Sequence, residues 1–269
     1  MIYQEFQPSS HLAEFIKCFW IMEQFDEVEN QAPEPILPDG CPEIIFNLAS
    51  PFRRHHFDKT EIQPQSIVVG QMKKFVLIEP AKKIKLFGIR FQPFGLYPLI
   101  KQPLHELTET IENIETVLNR AGIEIEERIN EAGSTEARIS IFEKMFEKTA
   151  LNKRIEMDFI RSATKLILES SGRISVEKVV SEFETNFKQL ERLFKNQIGL
   201  TPKRFCRTIR LQKIIQRLKD SKVESWADVA VSFAYFDQAH FIKDFREFTG
   251  TTPNYFTKQS NEITDFFVS

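Results

Sequence analysis

Up to about residue 92 the apolar positions fall in short runs: Phe15–Met22, Ile36–Leu37, Glu43–Leu48, Ser66–Val69, Phe75–Ile78 and Lys85–Phe91. Pro33, Pro35, Pro38, Gly40, Pro42, Pro51, Pro64, Gly70 and Pro80 punctuate them, which predicts a mostly β region. After Gln92-Pro93-Phe94-Gly95 the period lengthens. From Leu104 to Thr149, Ile111, Ile114, Val117 and Leu118, then Ile139, Phe142, Met145 and Phe146, recur at helical spacing among acids. This predicts two or three amphipathic helices, broken near Gly122 and at Gly133-Ser134. From Leu151 to Lys258 only Gly172, Gly199 and Pro202 interrupt the pattern before a closing Gly250-Thr251-Thr252-Pro253, so the stretch reads as all-α, about 105 residues long.

That helical region repeats itself. Shifting by 51 residues places Leu190 on Phe241, Phe194 on Phe245, Lys195 on Arg246, Gly199 on Gly250, Thr201 on Thr252, Pro202 on Pro253 and Phe205 on Phe256. Each copy opens with a short amphipathic helix, Val176–Phe183 and then Trp226–Phe233, followed by a turn, an N-cap at Asn186 or Asp237, and a second helix ending at Gly. This is the helix-turn-helix plan, twice. In the first unit Leu190, Leu193, Phe194 and Ile198 face inward, leaving Lys188, Glu191, Arg192 and Lys195 outside; in the second, Phe241, Phe245 and Phe248 face inward and Ala239, Lys243 and Arg246 outward. The connector Pro202–Lys219 begins with a favourable first helical residue and sets Phe205, Ile209, Ile215 and Leu218 on one side. As a helix it spans roughly 27 Å, against about 34 Å between successive major-groove faces of B-DNA. Two units on one rigid helix thus predict an asymmetric rather than palindromic site.

Composition first argues against nucleic acid: 36 basic and 38 acidic residues give −2 overall. By segment the picture reverses. Residues 1–152 hold 16 basic and 23 acidic residues, net −7; residues 153–258 hold 20 and 13, net +7; the tail 259–269 adds Glu262 and Asp265. Within 186–222 there are 11 basic residues against Glu191 and Asp220. Such a concentration favours phosphate contacts through counterion release, with Lys203, Arg204 and Arg210 as candidates, although a solvated helix face also produces basic runs.

Ile174-Ser175-Val176-Glu177, Gln189-Leu190-Glu191-Arg192-Leu193-Phe194-Lys195, Gly199-Leu200-Thr201-Pro202, Asp237-Gln238-Ala239-His240-Phe241-Ile242 and Phe248-Thr249-Gly250-Thr251-Thr252-Pro253 together resemble the AraC/XylS family of bacterial transcription regulators. The resemblance covers about residues 155–257. It implies a seven-helix module with recognition helices in adjacent major-groove segments of promoter DNA. Carried over by position, Lys188, Glu191 and Arg192 would meet base edges and Lys195 the backbone; Gln238, Ala239 and Lys243 would read bases, with Arg246 near phosphate. Arg or Lys suits guanine, Gln adenine, and Glu191 cytosine N4, unless Glu191 pairs with Lys188 or Lys195 instead. The turn positions that commonly hold Gly in this family are Glu184 and Ala234 here. His240 belongs to a family-typical Gln-x-His-Phe stretch and is expected to pack or cap at the helix start rather than bind metal.

Family members usually carry a second domain for sensing or dimerisation, and Leu37–Leu48, Val69–Met72 and Phe87–Pro93 are similar to a poorly characterised one that recurs among them. Asp39, Glu43, Asn47, Gln71 and Arg90 would be polar anchors if a cavity exists; alternatively Asp39 bonds its own turn and Arg90 partners Glu43. Cys18, Cys41 and Cys206 are odd in number and widely spaced, so neither disulfides nor a zinc site is expected, and Cys41 is expected to be a small buried or turn residue rather than a reactive thiol. His55-His56 beside Arg53-Arg54 and Asp58 suggests an exposed loop more than a metal site. The 26 Phe against 4 Tyr and 2 Trp point to aromatic cores, with a Phe-lined cavity as the alternative.

The fold class expected is α+β: a β-rich sensor or dimerisation domain over 1–150, helical from about 104, then an all-α domain of two tandem helix-turn-helix units over 151–258 and a tail over 259–269. The function expected is a cytoplasmic, non-enzymatic transcription regulator binding double-stranded promoter DNA, with no cofactor or metal. A small-molecule effector, a homodimer and, for an activator, RNA polymerase are further partners to test; no run approaches the roughly 18 apolar residues of a membrane span. Two alternatives stay open. One is a small β-domain enzyme, which no Ser/His/Asp series, phosphate loop or metal spacing supports, and the other is a ligand-free dimerisation adaptor fused to the DNA-binding module.

Overall fold

The structure, a computed structural model, describes residues 1–24, 32–56, 59–79, 83–100, 102–150, 157–220 and 225–258. The 150/151 boundary, the tail 259–269, Asp58 and Pro80 lie outside the described residues or at their edge. The first region holds two antiparallel sheets. The larger contains β1 (Ile2–Phe6), β2 (Ile16–Gln24), β9 (Ile84–Phe91), β4 (Glu43–Asn47), β7 (Ser66–Val69) and β10 (Ile111–Asn113), in that spatial order. The smaller runs β3 (Glu34–Ile36), β8 (Val76–Glu79), β5 (Arg53–His56), β6 (Lys59–Ile62).

Alternation along each strand gives the large sheet two different faces. One carries Phe19, Ile44, Phe46, Val68, Phe87, Ile89 and Phe91, which bury against Phe142 and Phe146 of a following helix. Those two phenylalanines stand four residues apart on one helical face, with ring centroids 6.2 Å from each other and about one ring's reach from Phe19 and Phe91. The Phe surplus is therefore spent mainly on aromatic cores. The opposite face carries Cys18, Trp20, Met22, Leu86 and Ile45 and looks toward Phe52 and the small sheet. Gly88 lies directly across from Trp20, and a Cβ there would overlap the indole, so the large ring fits only because its neighbour has no side chain.

Four expectations need correcting. Residues 111–113 form β10, pairing with β7, where helical spacing had predicted helix; three residues at a sheet edge are too few for periodicity to decide. The helical break falls at Asn119, in left-handed backbone between α1 (Ile114–Leu118) and α2 (Arg120–Glu131). Gly122 sits buried inside α2, where a Cβ would press on the Ile114 carbonyl at 2.5 Å. His55 and its neighbours are strand, not loop, and His55 Nε2 lies 2.7 Å from Glu79 Oε2. The break after α2, before α3 (Thr135–Ala150), falls at Gly133-Ser134 as expected.

Seven helices follow: α4 (Asp158–Glu169), α5 (Val176–Glu182), α6 (Phe187–Gln197), α7 (Pro202–Asp220), α8 (Trp226–Ser232), α9 (Gln238–Thr249) and α10 (Pro253–Phe256). The second helix of each unit, α6 and α9, is capped by the expected side chain, and the first helices, α5 and α8, by Ser175 and Ser225. Asn186 accepts from the Gln189 amide at 2.9 Å and Asp237 from the His240 amide at 2.7 Å. Gly199 and Gly250, which close α6 and α9, both have left-handed φ. The fourth correction concerns α7: its apolar residues do not share one side. Phe205 and Ile209 join the core of the first unit, whereas Leu211, Ile214, Ile215 and Leu218 join that of the second.

The turn residues Glu184 and Ala234 adopt φ of 46° and 57°, so both turns keep the left-handed geometry without glycine. Left-handed backbone costs a residue with a Cβ about 1–2 kcal/mol, part of which Gly returns as unfolded-chain entropy. Ala234→Gly should therefore raise the unfolding free energy by about 0.5–1 kcal/mol in urea denaturation. Gly88→Ala should lower it by about 1–3 kcal/mol by displacing Trp20, while Gly133→Ala, where a Cβ meets open space, should shift it by less than about 0.5 kcal/mol.

Candidate nucleic-acid interface and buried cavity

On α6 the buried residues are Leu190, Phe194 and Gln197; Lys188, Glu191, Arg192 and Lys195 are all exposed. On α9, Phe241, Phe245 and Phe248 are buried, and Gln238, Ala239, Lys243 and Arg246 are exposed. Glu191 forms an exposed pair with Lys195 at 2.7 Å. Such a pair is worth about 0–1 kcal/mol and can open when a better partner arrives. His240 sets its ring edge-on to Tyr235 at 5.3 Å, a packing role at the start of α9. Two apolar side chains beside these faces were not singled out from sequence. Phe187 opens α6 and is half-exposed, and Phe236, in the turn before α9, is 92% exposed. Both lay outside the inward periodicity, and an exposed aromatic in a turn was the available signal.

Cations on α7 divide by role. Lys203 is exposed. Arg207 donates from Nε to Asp244 Oδ1 at 2.7 Å and from Nη2 to Glu247 Oε2 at 2.6 Å. Asp244 is a buried acid on the inner side of α9 and also accepts from the Tyr235 hydroxyl at 2.7 Å. Arg204 pairs with Glu247, lies 4.0 Å over the Phe248 ring and donates to the Lys73 carbonyl. Arg210 donates to the Gly172 carbonyl at 2.9 Å and lies over Tyr235. In this arrangement Arg204 and Arg210 act as internal clamps, which leaves Lys203 as the surface cation of the three phosphate-contact candidates.

The β region grips both units. Thr108 donates to the Gly199 carbonyl at 2.6 Å, the Phe75 amide donates to the Phe248 carbonyl at 2.9 Å, and Gln212 donates to the Pro38 carbonyl at 2.6 Å. Leu37 and Phe75 enter the core of the second unit. Gly40 lies against Phe205 and Ile209 of α7.

Between the two sheets lies a cavity of about 110 Å³. Most of its wall is apolar, including Trp20, Met22, Ile45, Phe52, Val76 and Ile78, and its polar lining includes Asp39, Glu43, Asn47 and Arg90. Four of the five anchors read from sequence thus meet at one place. Gln71 is not among the lining residues; it is buried beside them and donates to the Gly40 carbonyl at 2.8 Å. Both readings of Asp39 hold together: its Oδ1 accepts from the Cys41 amide at 2.9 Å, closing the turn, while Oδ2 pairs with Arg90. Asn47 bonds its own turn through Ala49 and Ser50. Arg90 is 1% exposed; burial disfavours its charge, but Asp39 and Glu43 hold it firmly protonated. Burial pushes the Glu43 carboxyl up to about 7, against the pull of Arg90, and pushes the Cys41 thiol up to about 11, which makes it a poor nucleophile at neutral pH. No group of three or more potential metal ligands occurs among the described residues. None of the described helices is long and apolar enough to cross a membrane.

Residues 179–259 match the family model of a helix-turn-helix domain, and residues 4–113 match that of a domain of unknown function. The HTH-type transcriptional regulator MtrA of Neisseria gonorrhoeae is 32% identical over 98 residues, 36% of this chain and 32% of that protein. The HTH-type transcriptional activator RhaS of Escherichia coli is 26% identical over 162 residues, 56% of this chain and 55% of that protein. The chain thus spans between a third and just over half the length of these relatives. Among solved structures, ToxT of Vibrio cholerae covers 96% of this chain and 98% of its own, at 12% identity and a TM-score of 0.49. With its doubled, capped and glycine-terminated units, the C-terminal part of this chain matches a helix-turn-helix domain, and the part before it matches a domain of unknown function.

Proposed function

We propose that this protein is a sequence-specific transcription regulator that binds double-stranded promoter DNA in the bacterial cytoplasm, without enzymatic activity. The observation that carries the reading is the pair of equivalent helices, α6 and α9, each exposing a polar, mainly cationic face and both fastened to α7. The 19 residues of α7 extend about 28 Å, close to one turn of B-DNA, so one chain reaches two successive major-groove segments. Lys188, Glu191 and Arg192 read one segment and Gln238, Ala239 and Lys243 the next, while Lys195, Arg246 and Lys203 meet phosphates and set register. Phe187 and Phe236 are placed to contact thymine methyl groups. The names of the relatives support this reading, MtrA as a regulator and RhaS as an activator. An activator would also touch RNA polymerase, and a homodimer would double the site.

The β region is read as the part that modulates binding in response to a small molecule. Support comes from the chain segments around the cavity. Residues 36–41 and 69–76 contribute much of its wall, and the same stretches carry Leu37, Pro38, Gly40, Lys73 and Phe75, which hold the two helix-turn-helix units. A change in the wall is therefore a change in the mounting of the reader.

Genomic mapping followed by footprinting of the full chain should reveal asymmetric sites covering two successive major-groove segments; binding of equal strength to all sequences would overturn the proposal. Arg192→Ala and Lys243→Ala should each weaken specific binding by about 1–3 kcal/mol and relax the sequence preference at one position. Lys203→Ala should weaken binding to all sequences alike and reduce the slope of log K against log salt by about 0.9.

A further inference from the structure

The cavity's chemistry is lopsided in a way that identifies what fits it. Its polar end contains one cation, Arg90, and two carboxylates, Asp39 and Glu43. Arg90 bonds Asp39 closely, whereas Glu43 pairs with it at longer range. Its Oε1 lies 3.5 Å from Arg90 Nε, and among the described residues this buried oxygen accepts no hydrogen bond. A buried acceptor without a donor is costly, and a ligand N–H can remove that cost. An anion entering the cavity would instead confront two carboxylates in a lining that holds one guanidinium. The remaining wall is hydrocarbon, aromatic and thioether, supplied by side chains such as Trp20, Met22, Ile45, Phe52 and Ile78.

Size narrows the choice further. A dry cavity of about 150 Å³ accommodates benzene. At about 110 Å³ this one holds a body no larger than benzene.

Resting on the reading of the β region as a sensor, we propose that the cavity binds a compact apolar cation: a branched or cyclic hydrocarbon of about this size bearing one protonated amine, with the ammonium against Glu43 and the hydrocarbon against Trp20, Met22 and Ile45. The ammonium donates to Glu43 Oε1, which Arg90 Nε approaches only to 3.5 Å. Selectivity follows from the walls, since a larger body meets Phe52 and Ile78 and a carboxylate meets Asp39 and Glu43.

Glu43 must be ionised to hold the ammonium, and burial raises its carboxyl to about 7. The charged and titratable groups facing it are Arg90 on β9, Asp39 and Cys41 in the loop before β4, Lys17 and Cys18 on β2, and Glu5 on β1. Burial holds the two thiols above the neutral range and raises Glu43 into it. The cation therefore binds more tightly as pH rises through 7.

The test uses three isosteres, isoamylamine, isoamyl alcohol and isovalerate, titrated into the full chain by calorimetry and followed in parallel by thermal shift. The amine should bind most tightly and raise Tm, the alcohol more weakly, and isovalerate not measurably; amine affinity should rise about tenfold from pH 6 to pH 8. Glu43→Gln should abolish the pH dependence and reduce amine binding to the level of the alcohol. Ile45→Trp, which fills the cavity from its apolar side, should abolish binding of both while retaining a cooperative melt. Tighter binding of isovalerate than of the amine, an amine affinity unchanged in Glu43→Gln, or no amine binding at pH 8 would overturn the assignment. Footprinting separates this from the regulator reading: amine binding by a chain that shows no sequence-specific footprint leaves the cavity assignment standing and removes the regulator, and a sharp footprint without amine binding does the reverse.

Discussion

Phe194 of α6 and Phe205 of α7 lie in the same continuous apolar core as Phe15, Phe91 and Phe146 of the β region and its helices. This shared core constrains everything else. Each of these side chains withdraws apolar area from water at roughly 25 cal/mol per Å², and they do so together, across what the chain order would treat as a domain boundary. The first helix-turn-helix unit is accordingly part of the β region's own hydrophobic interior. The second is held differently, by its own core with Leu37 and Phe75 inserted, and by hydrogen bonds to the Phe248 and Pro38 carbonyls from the Phe75 amide and the Gln212 side chain. One unit is fused to the β region and the other is pinned to it.

The large sheet makes that arrangement compatible with a cavity. Its phenylalanine face closes tightly on α3, so packing there is dense and aromatic. Its other face cannot close in the same way, because the small sheet opposite supplies few large side chains and Arg90 must be kept with its carboxylates. The charged cluster stands between this cavity and a second cleft, lined by Asp39, Arg90, Ile209 and Gln212. A buried guanidinium with two acids is an expensive core component.

Much of this was legible from residues alone, and the reasons are specific. The repeat at 51 residues, the Asn186 and Asp237 caps and the glycine ends are local signals written in side-chain chemistry, and each appears in the structure where the spacing put it. Glu43, Asn47 and Arg90 were identifiable as polar residues in otherwise apolar segments, and Asp39 by its Pro38-Asp39-Gly40 turn. Long-range pairing was not legible: β5 and β10 are short, and each is paired with a strand well separated from it in the chain. For the same reason nothing in the basic run distinguished Lys203 from Arg204 and Arg210. Which guanidinium faces solvent depends on Glu247, Lys73 and Gly172, residues that the fold alone brings near.

The glycines that end the two recognition helices have a second duty. A Cβ on Gly199 would crowd Thr108 and the Leu104 carbonyl at about 3 Å, and one on Gly250 would strike the Phe75 ring at 2.5 Å. The element that terminates each reading helix is thus also the flat patch on which the β region rests. Such a reader is not a freely exchangeable cassette. Moved onto another domain, it would arrive with two bare glycine surfaces and nothing shaped to sit on them, so that residues 71–75 and 104–108 belong, in any practical sense, to the helix-turn-helix half as much as to their own.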